Sequence, residues 1–109
     1  MTNFIFIVAD DLGYADSECC GGREAEFGPV SPVLDHLAAN GQRYVNGYAN
    51  SPVCSPTRFA LMTGRHQYWV RGASEEPMLG SAQGNPEIGL HPYLPTLPSM
   101  LKDEGYHTA

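Results

Sequence analysis

The chain has 109 residues, enough for one small domain that buries very roughly two-thirds of its unfolded surface. Its formal net charge of −6 argues against nucleic acid as a partner, and no segment approaches the roughly 20 apolar residues of a membrane span. The first apolar run, residues 4–9, is too short for a signal-peptide core, so the sequence as written predicts a cytoplasmic protein with no membrane partner; export of a longer parent protein is the alternative.

The first predicted element is a buried strand that ends at two carboxylates. Residues 3–9 form a continuous apolar, β-rich run, typical of a parallel strand covered on both faces. Asp10 and Asp11 follow directly, where open α/β sheets bind their ligands. Adjacent carboxylates repel each other and suit a hard cation such as Ca²⁺ or Mg²⁺, which prefers oxygen ligands. An ordinary polar turn after a strand is the alternative.

A helix and a second strand come next. Ser31 is a capping residue, Pro32 suits the first helical position and Gly41 ends the apolar repeat, so the sequence predicts a helix over residues 32–40. Residues 42–48 predict a short strand, and a strand–helix–strand crossover of this length is compatible with parallel pairing. We interpret the apolar stripe of the helix as core; it consists of Leu34, Leu37 and Ala38.

Three cysteines are present, and an odd count gives no disulfide framework. Cys19 and Cys20 are adjacent, in a segment to which we assign loop structure and no chemistry. Cys54 stands alone. A bridge from Cys54 to one of the adjacent pair is the alternative.

The most informative stretch surrounds Cys54. Pro56 suits the first turn of a helix and Gly64 the position just past its end, so we predict a short helix over about residues 57–63. Cys54 then lies at or just before the helix N-terminus, which favours an anion. Arg58 falls on the same side one turn later. The pattern predicts a site for a small oxyanion; a buried, inert cysteine is the alternative.

A long loop and a third helix complete the chain. Residues 65–95 show no sustained periodicity, and loops of this length in compact domains tend to be functional or disordered. A third helix opens at Thr96 and stops at Gly105, and residues 106–109 begin like a strand. Four residues of this loop are candidates for contact with the organic part of a substrate: His66, Tyr68, Trp69 and Arg71. Packing of an aromatic cluster is the alternative.

Three motifs, in this order along the chain, resemble the sulfatase family. The first, Asp-Asp-Leu-Gly-Tyr-Ala-Asp at residues 10–16, differs from the family pattern at Ala15; Asp16 we assign to stabilising the turn. The second, Cys-x-Pro-x-Arg with Leu-Met-Thr-Gly-Arg at residues 54–65, differs at Phe59, where a small residue is usual. The third is Thr-Leu with Gly-Tyr-x-Thr-Ala at residues 96–109.

The resemblance implies an α/β fold: the N-terminal part of an alkaline-phosphatase-like three-layer sandwich with a mostly parallel central sheet, and residues 1–109 as an incomplete catalytic domain.

The resemblance also implies an activity, arylsulfatase-like hydrolysis of a small-molecule sulfate ester. Cys54 would be oxidised by a formylglycine-generating enzyme, and the hydrated aldehyde would attack sulfur and later expel sulfate. Arg58 would hold the hydrate and the sulfate charge, while Asp10, Asp11 and the modified Cys54 would bind Ca²⁺ or Mg²⁺.

Catalytic groups of the family are missing from the sequence. Its Gly-Lys-Trp-His segment, with the catalytic lysine and histidine, would follow the strand that begins at residue 106. We therefore expect the 109 residues alone to be inactive. The alternatives are a phosphonate or phosphate ester hydrolase of the same superfamily and a non-catalytic remnant.

Overall fold

The computed structural model describes residues 2–22, 28–70, 84–85 and 87–109. The chain divides into two compact units, Met1–Gly47 and Tyr48–Ala109. In the described ranges, no helix combines the length and the apolar character needed to cross a membrane. The helices are α1 (Pro32–Asn40), α2 (Cys54–Thr63) and α3 (Leu97–Asp103), and single 3₁₀ turns occur at Tyr14–Asp16, Glu18–Cys20 and Gln67–Trp69.

All three predicted helices are confirmed, because their start and stop signals are local. α1 has the predicted bounds, with Pro32 in its first turn. α3 begins after Thr96, whose side chain accepts a hydrogen bond from the Ser99 backbone N–H. The Ser99 hydroxyl accepts one from the Thr96 N–H in return, at 2.9 Å. This reciprocal pair satisfies backbone donors that the first helical turn leaves open.

The predicted strands are absent from the described part of the chain. Residues 3–9, 42–48 and 106–109 carry no strand assignment, and Ile5 and Ile7 are 87% and 83% exposed. A strand is stable only when a neighbouring strand pairs with its backbone groups and other layers cover its side chains. The described segments form no such ladder. The central sheet is therefore not confirmed, and the prediction that residues 3–9 are covered on both faces is wrong in this structure.

The core also differs from the prediction. On α1, Leu34 and Leu37 remain 47% and 59% exposed, so the stripe that we interpreted as core faces outward. An apolar stripe becomes core only when another element packs against it, and the described contacts of α1 are with a short 3₁₀ turn. The buried apolar groups of the described residues are instead on α2, where Pro56 is fully buried and Phe59 is 7% exposed.

Candidate active site

Cys54 is the first residue of α2, and its side chain is exposed. Val53 precedes the helix in an extended conformation, and no side chain caps this helix end. The prediction that Cys54 lies at or just before a helix N-terminus is confirmed, although α2 begins three residues earlier than the expected start near Thr57. The exposed thiol contradicts the alternative of a buried, inert cysteine. Its position favours a negative charge, because the helix dipole is positive there.

Thr57 fastens the segment before α2 to the first turn of the helix. The Ser51 N–H donates to Thr57 Oγ1 at 3.1 Å, and the Thr57 hydroxyl donates to the Ser51 carbonyl at 2.6 Å. The Ser51 hydroxyl accepts from the Val53 N–H at 3.2 Å. Ser51 is buried, so this Ser51–Thr57 clamp is shielded from water. It fixes the backbone that enters Cys54.

A buried amide pair supports the same segment. Gln67 is only 1% exposed, and its Oε1 accepts a hydrogen bond from Asn50 Nδ2. A buried amide without hydrogen bonds would destabilise the fold, so the pairing with Asn50 allows Gln67 to pack inside. The residue before Ser51 is thereby joined to the turn that follows α2.

Arg58 lies on α2, one turn after Cys54, and is exposed. Residues four apart on a helix are neighbours on its surface, with Cβ atoms about 5–6 Å apart. Arg58, with its fixed positive charge, therefore lies on the same side of α2 as Cys54, near the positive end of the helix dipole. A guanidinium in this position suits an oxyanion, which it can bind through two parallel hydrogen bonds.

A groove of about 360 Å³ runs beside α2 and the segment around it. His66 lines the groove with Thr57, Leu61 and Arg65. Of the other residues that we considered for substrate contact, Tyr68 and Trp69 do not line it, and Arg71 lies outside the described residues. The groove combines apolar walls with one cationic side chain, which suits a small organic group that carries negative charge.

Asp10 and Asp11, the predicted metal ligands, belong to the unit Met1–Gly47 and are both exposed. Asp11 adopts φ 56°, and no other non-glycine residue in the described ranges has a positive φ. Aspartate tolerates this left-handed conformation better than most residues do, and such conformations are concentrated at functional sites. Asp16 accepts a hydrogen bond from the Gly13 N–H at 2.7 Å, which confirms its predicted role in the turn.

The oxygen atoms of the two adjacent carboxylates are the ligand type that a hard cation prefers, but they are too few to complete its coordination. Ca²⁺ takes roughly six to eight oxygen ligands, and Asp10 and Asp11 supply only part of that set. Elsewhere in the described residues, no group of three or more His, Cys, Asp or Glu side chains is placed to hold a metal ion. Cys54 and Arg58 share α2, whereas the two aspartates belong to the other unit. Metal binding by Asp10, Asp11 and Cys54 stays a prediction.

The sequence did not indicate the groups that hold Cys54 in place. Thr57 stood inside the predicted helix with no signal of its bonds to Ser51, and neither Asn50 nor Gln67 was considered. A threonine in the first turn after a Ser-Pro step is a possible sequence signal for the clamp, since a hydroxyl there can bond nearby backbone groups. The pairing across 17 residues has no such local signal.

Comparison with known proteins gives a consistent result. The family model described as Sulfatase matches residues 2–109. The chain is 36% identical over 106 residues to an N-acetylgalactosamine-6-O-sulfatase of Bacteroides thetaiotaomicron, covering 97% of this chain and 19% of the relative. It is 39% identical over 111 residues to the steryl-sulfatase of Rattus norvegicus, covering 97% and 18%. The chain thus spans about a fifth of the length of these relatives. No solved structure matches it significantly.

Proposed function

Since the chain belongs to the sulfatase family, we propose that residues 1–109 form the N-terminal portion of a catalytic domain that hydrolyses sulfuric esters. The observation that carries this proposal is the exposed Cys54 at the first position of α2, inside the Cys-x-Pro-x-Arg motif. A modifying enzyme needs access to the thiol, and a nucleophile needs access to its substrate. The position of Cys54 meets both requirements.

In the proposed reaction, Cys54 supplies the nucleophile, and Arg58 and the start of α2 stabilise negative charge. Converted to formylglycine, Cys54 supplies a hydrated aldehyde whose hydroxyl is the nucleophile. The N-terminus of α2 and the Arg58 guanidinium hold the negative charge that develops on the sulfuryl oxygens, and losing one such donor typically costs about 10²–10³-fold in rate. The Ser51–Thr57 clamp keeps the helix start in place while the charge develops.

Asp10 and Asp11 are proposed to hold a divalent cation, Ca²⁺ or Mg²⁺. When bound, the cation supplies Lewis-acid stabilisation of charge. The positive φ of Asp11 supports this role, because such backbone conformations are concentrated at functional sites. Further oxygen ligands are required to complete the coordination.

The substrate is proposed only as a class, a small-molecule sulfate ester. The names of the two relatives refer to N-acetylgalactosamine-6-sulfate esters in one case and to steryl sulfates in the other. These organic groups differ greatly in shape and polarity. Both names have the sulfate ester in common, and we assign its recognition to the motif that contains Cys54 and Arg58.

Conversion of Cys54 is the experiment that tests the proposal. The chain is produced together with a formylglycine-generating enzyme, and the tryptic peptide of residues 44–58 is analysed by mass spectrometry. We expect the aldehyde at Cys54, and we expect Cys54→Ser to remain unconverted in an aerobic host. Recovery of only the intact thiol, while a known sulfatase is converted in the same cells, would contradict the proposal.

We also propose that the 109 residues alone do not turn over substrate. Arg58 and the start of α2 supply two of the charge-stabilising groups, but the described residues contain no complete metal-ligand group. Several missing donors compound their effects, although not additively. Measured hydrolysis of an aryl sulfate by the converted chain, lost in Cys54→Ala, would show that its other residues complete the site.

A further inference from the structure

Two thiols that the proposed function does not use lie together in the unit Met1–Gly47. Cys19 and Cys20 end the 3₁₀ turn Glu18–Cys20, which we term the dithiol turn. Their Sγ atoms are 4.0 Å apart, both side chains are half-buried and neither is in a disulfide. Two thiols this close can react with the same electrophile in succession.

Asp35, in the first turn of α1, anchors the dithiol turn. The Cys19 N–H donates to Asp35 Oδ1 at 2.7 Å. The Ser31 hydroxyl donates to the same carboxylate at 3.1 Å and accepts from the Glu18 N–H at 3.0 Å. Partial burial alone would raise the pKa of Asp35, but the hydrogen bonds from Cys19 and Ser31 outweigh it and hold that pKa below its ordinary value. The pKa of Asp35 therefore depends on the contact between the dithiol turn and α1.

We propose that Cys19 and Cys20 form a redox modification site, closed to a vicinal disulfide by a small-molecule disulfide such as oxidised glutathione, and that closure detaches the dithiol turn from Asp35. A disulfide brings two sulfurs to about 2.0 Å, so the Sγ atoms must move together by about half of their present separation. Neighbouring Cα atoms are about 3.8 Å apart across a trans peptide, which is less than the usual span of about 4.4–6.8 Å in disulfides.

Since that distance is fixed, we expect closure to be accommodated by turning the peptide group between the two cysteines. That group carries the Cys20 N–H, which now donates to the Ser17 carbonyl at 3.1 Å. The N–H that donates to Asp35 belongs to the preceding peptide group, so we expect it to move as the strain of the closed ring changes the backbone angles of Cys19. A strained disulfide is also easily reduced, so the modification is reversible.

The exchange balances in two steps. A hydrogen bond to Ser17 lowers the pKa of the Cys19 thiol, but burial and the neighbouring Cys20 and Asp35 outweigh it and hold that pKa above its ordinary value. The thiolate is the nucleophile, and either thiol can attack first with the same balance; for Cys20 the steps are as follows. Its thiolate displaces one glutathione thiolate and forms a mixed disulfide; Cys19 then loses its proton, attacks the Cys20 sulfur and releases the second glutathione. The protein loses two electrons and two protons, which reduce the disulfide to two thiols.

The test uses the full 109-residue chain with Cys54→Ala, so that only the adjacent cysteines can exchange. The chain is incubated with a series of ratios of oxidised to reduced glutathione, and the tryptic peptide of residues 1–23 is weighed. We expect that peptide to lose two hydrogen masses. The single variants Cys19→Ser and Cys20→Ser should instead retain one glutathione. By NMR, the pKa of Asp35 should rise on oxidation, because the carboxylate loses the Cys19 N–H.

Two results would overturn the proposal. If both cysteines carry glutathione at every ratio and no internal disulfide forms, the pair is not a vicinal redox site. If the disulfide forms while the titration of Asp35 stays unchanged, closure does not detach the turn from α1. Both measurements are made on the chain with both adjacent cysteines intact, so neither depends on whether the serine variants fold.

Discussion

Replacing Thr57 by valine tests whether the Ser51–Thr57 clamp positions the start of α2. Valine has nearly the same shape but no hydroxyl, so it removes the bond accepted from the Ser51 N–H and the bond donated to the Ser51 carbonyl. A net contribution of about 1 kcal/mol per hydrogen bond gives a loss of about 2 kcal/mol. That corresponds to roughly thirty-fold in the equilibrium for opening this segment.

Amide hydrogen exchange at Ser51 is the direct assay, because its N–H is one of the clamp donors. We expect exchange at this amide to accelerate by roughly thirty-fold in Thr57→Val. Thr57→Ser is the matched control, since it keeps the hydroxyl and loses only a methyl group. Equal exchange rates in the valine and serine variants would refute the reasoning, and the segment before Cys54 would then be held by other contacts.

Three further predictions concern pH, packing and metal. Because hydrogen bonds hold the pKa of Asp35 below its ordinary value of 3.8, its carboxylate stabilises the fold above that pH and stops doing so as pH falls through the lower folded-state pKa. Asp35→Asn should therefore lower the free energy of unfolding at pH 7 and match the unsubstituted chain in strong acid, as unfolding across pH would show. Phe59→Ala should cost about 3–5 kcal/mol in urea unfolding, whereas Leu37→Ala, at a side chain 59% exposed, should cost far less. Calorimetry should find only weak Ca²⁺ binding by these 109 residues; tight binding lost in Asp10→Ala would reveal further ligands.

The sequence predicted elements whose signals are local. Proline in the first turn and glycine after the last turn placed α2, and Gly64 does adopt a left-handed conformation, with φ 66°. Its N–H donates to the Ala60 carbonyl at 2.8 Å and closes the helix. The same kind of signal placed α1 and α3. These patterns need no knowledge of what packs against the helix.

Long-range features were not predictable in the same way. The apolar run at residues 3–9 has a strand-like composition, but composition does not supply the neighbouring strand that a ladder requires. The stripe on α1 is apolar with the correct period, yet Leu37 is exposed because no described layer covers it. The bond between Asn50 and Gln67 joins residues 17 apart, and neither residue type indicates a partner at that distance.

The two halves of the proposed site therefore depend on different ranges of the chain. Cys54 follows a segment held by the clamp, whose bonds span six residues, and short loops cost little entropy to close. Asp10 and Asp11 follow residues 3–9, whose predicted strand requires a pairing partner that the described segments do not provide. The geometry around Cys54 is consequently encoded locally, whereas the geometry around Asp10 and Asp11 is not. Conversion of Cys54 and binding of a cation should for this reason be separable: conversion can proceed in a chain that binds Ca²⁺ only weakly.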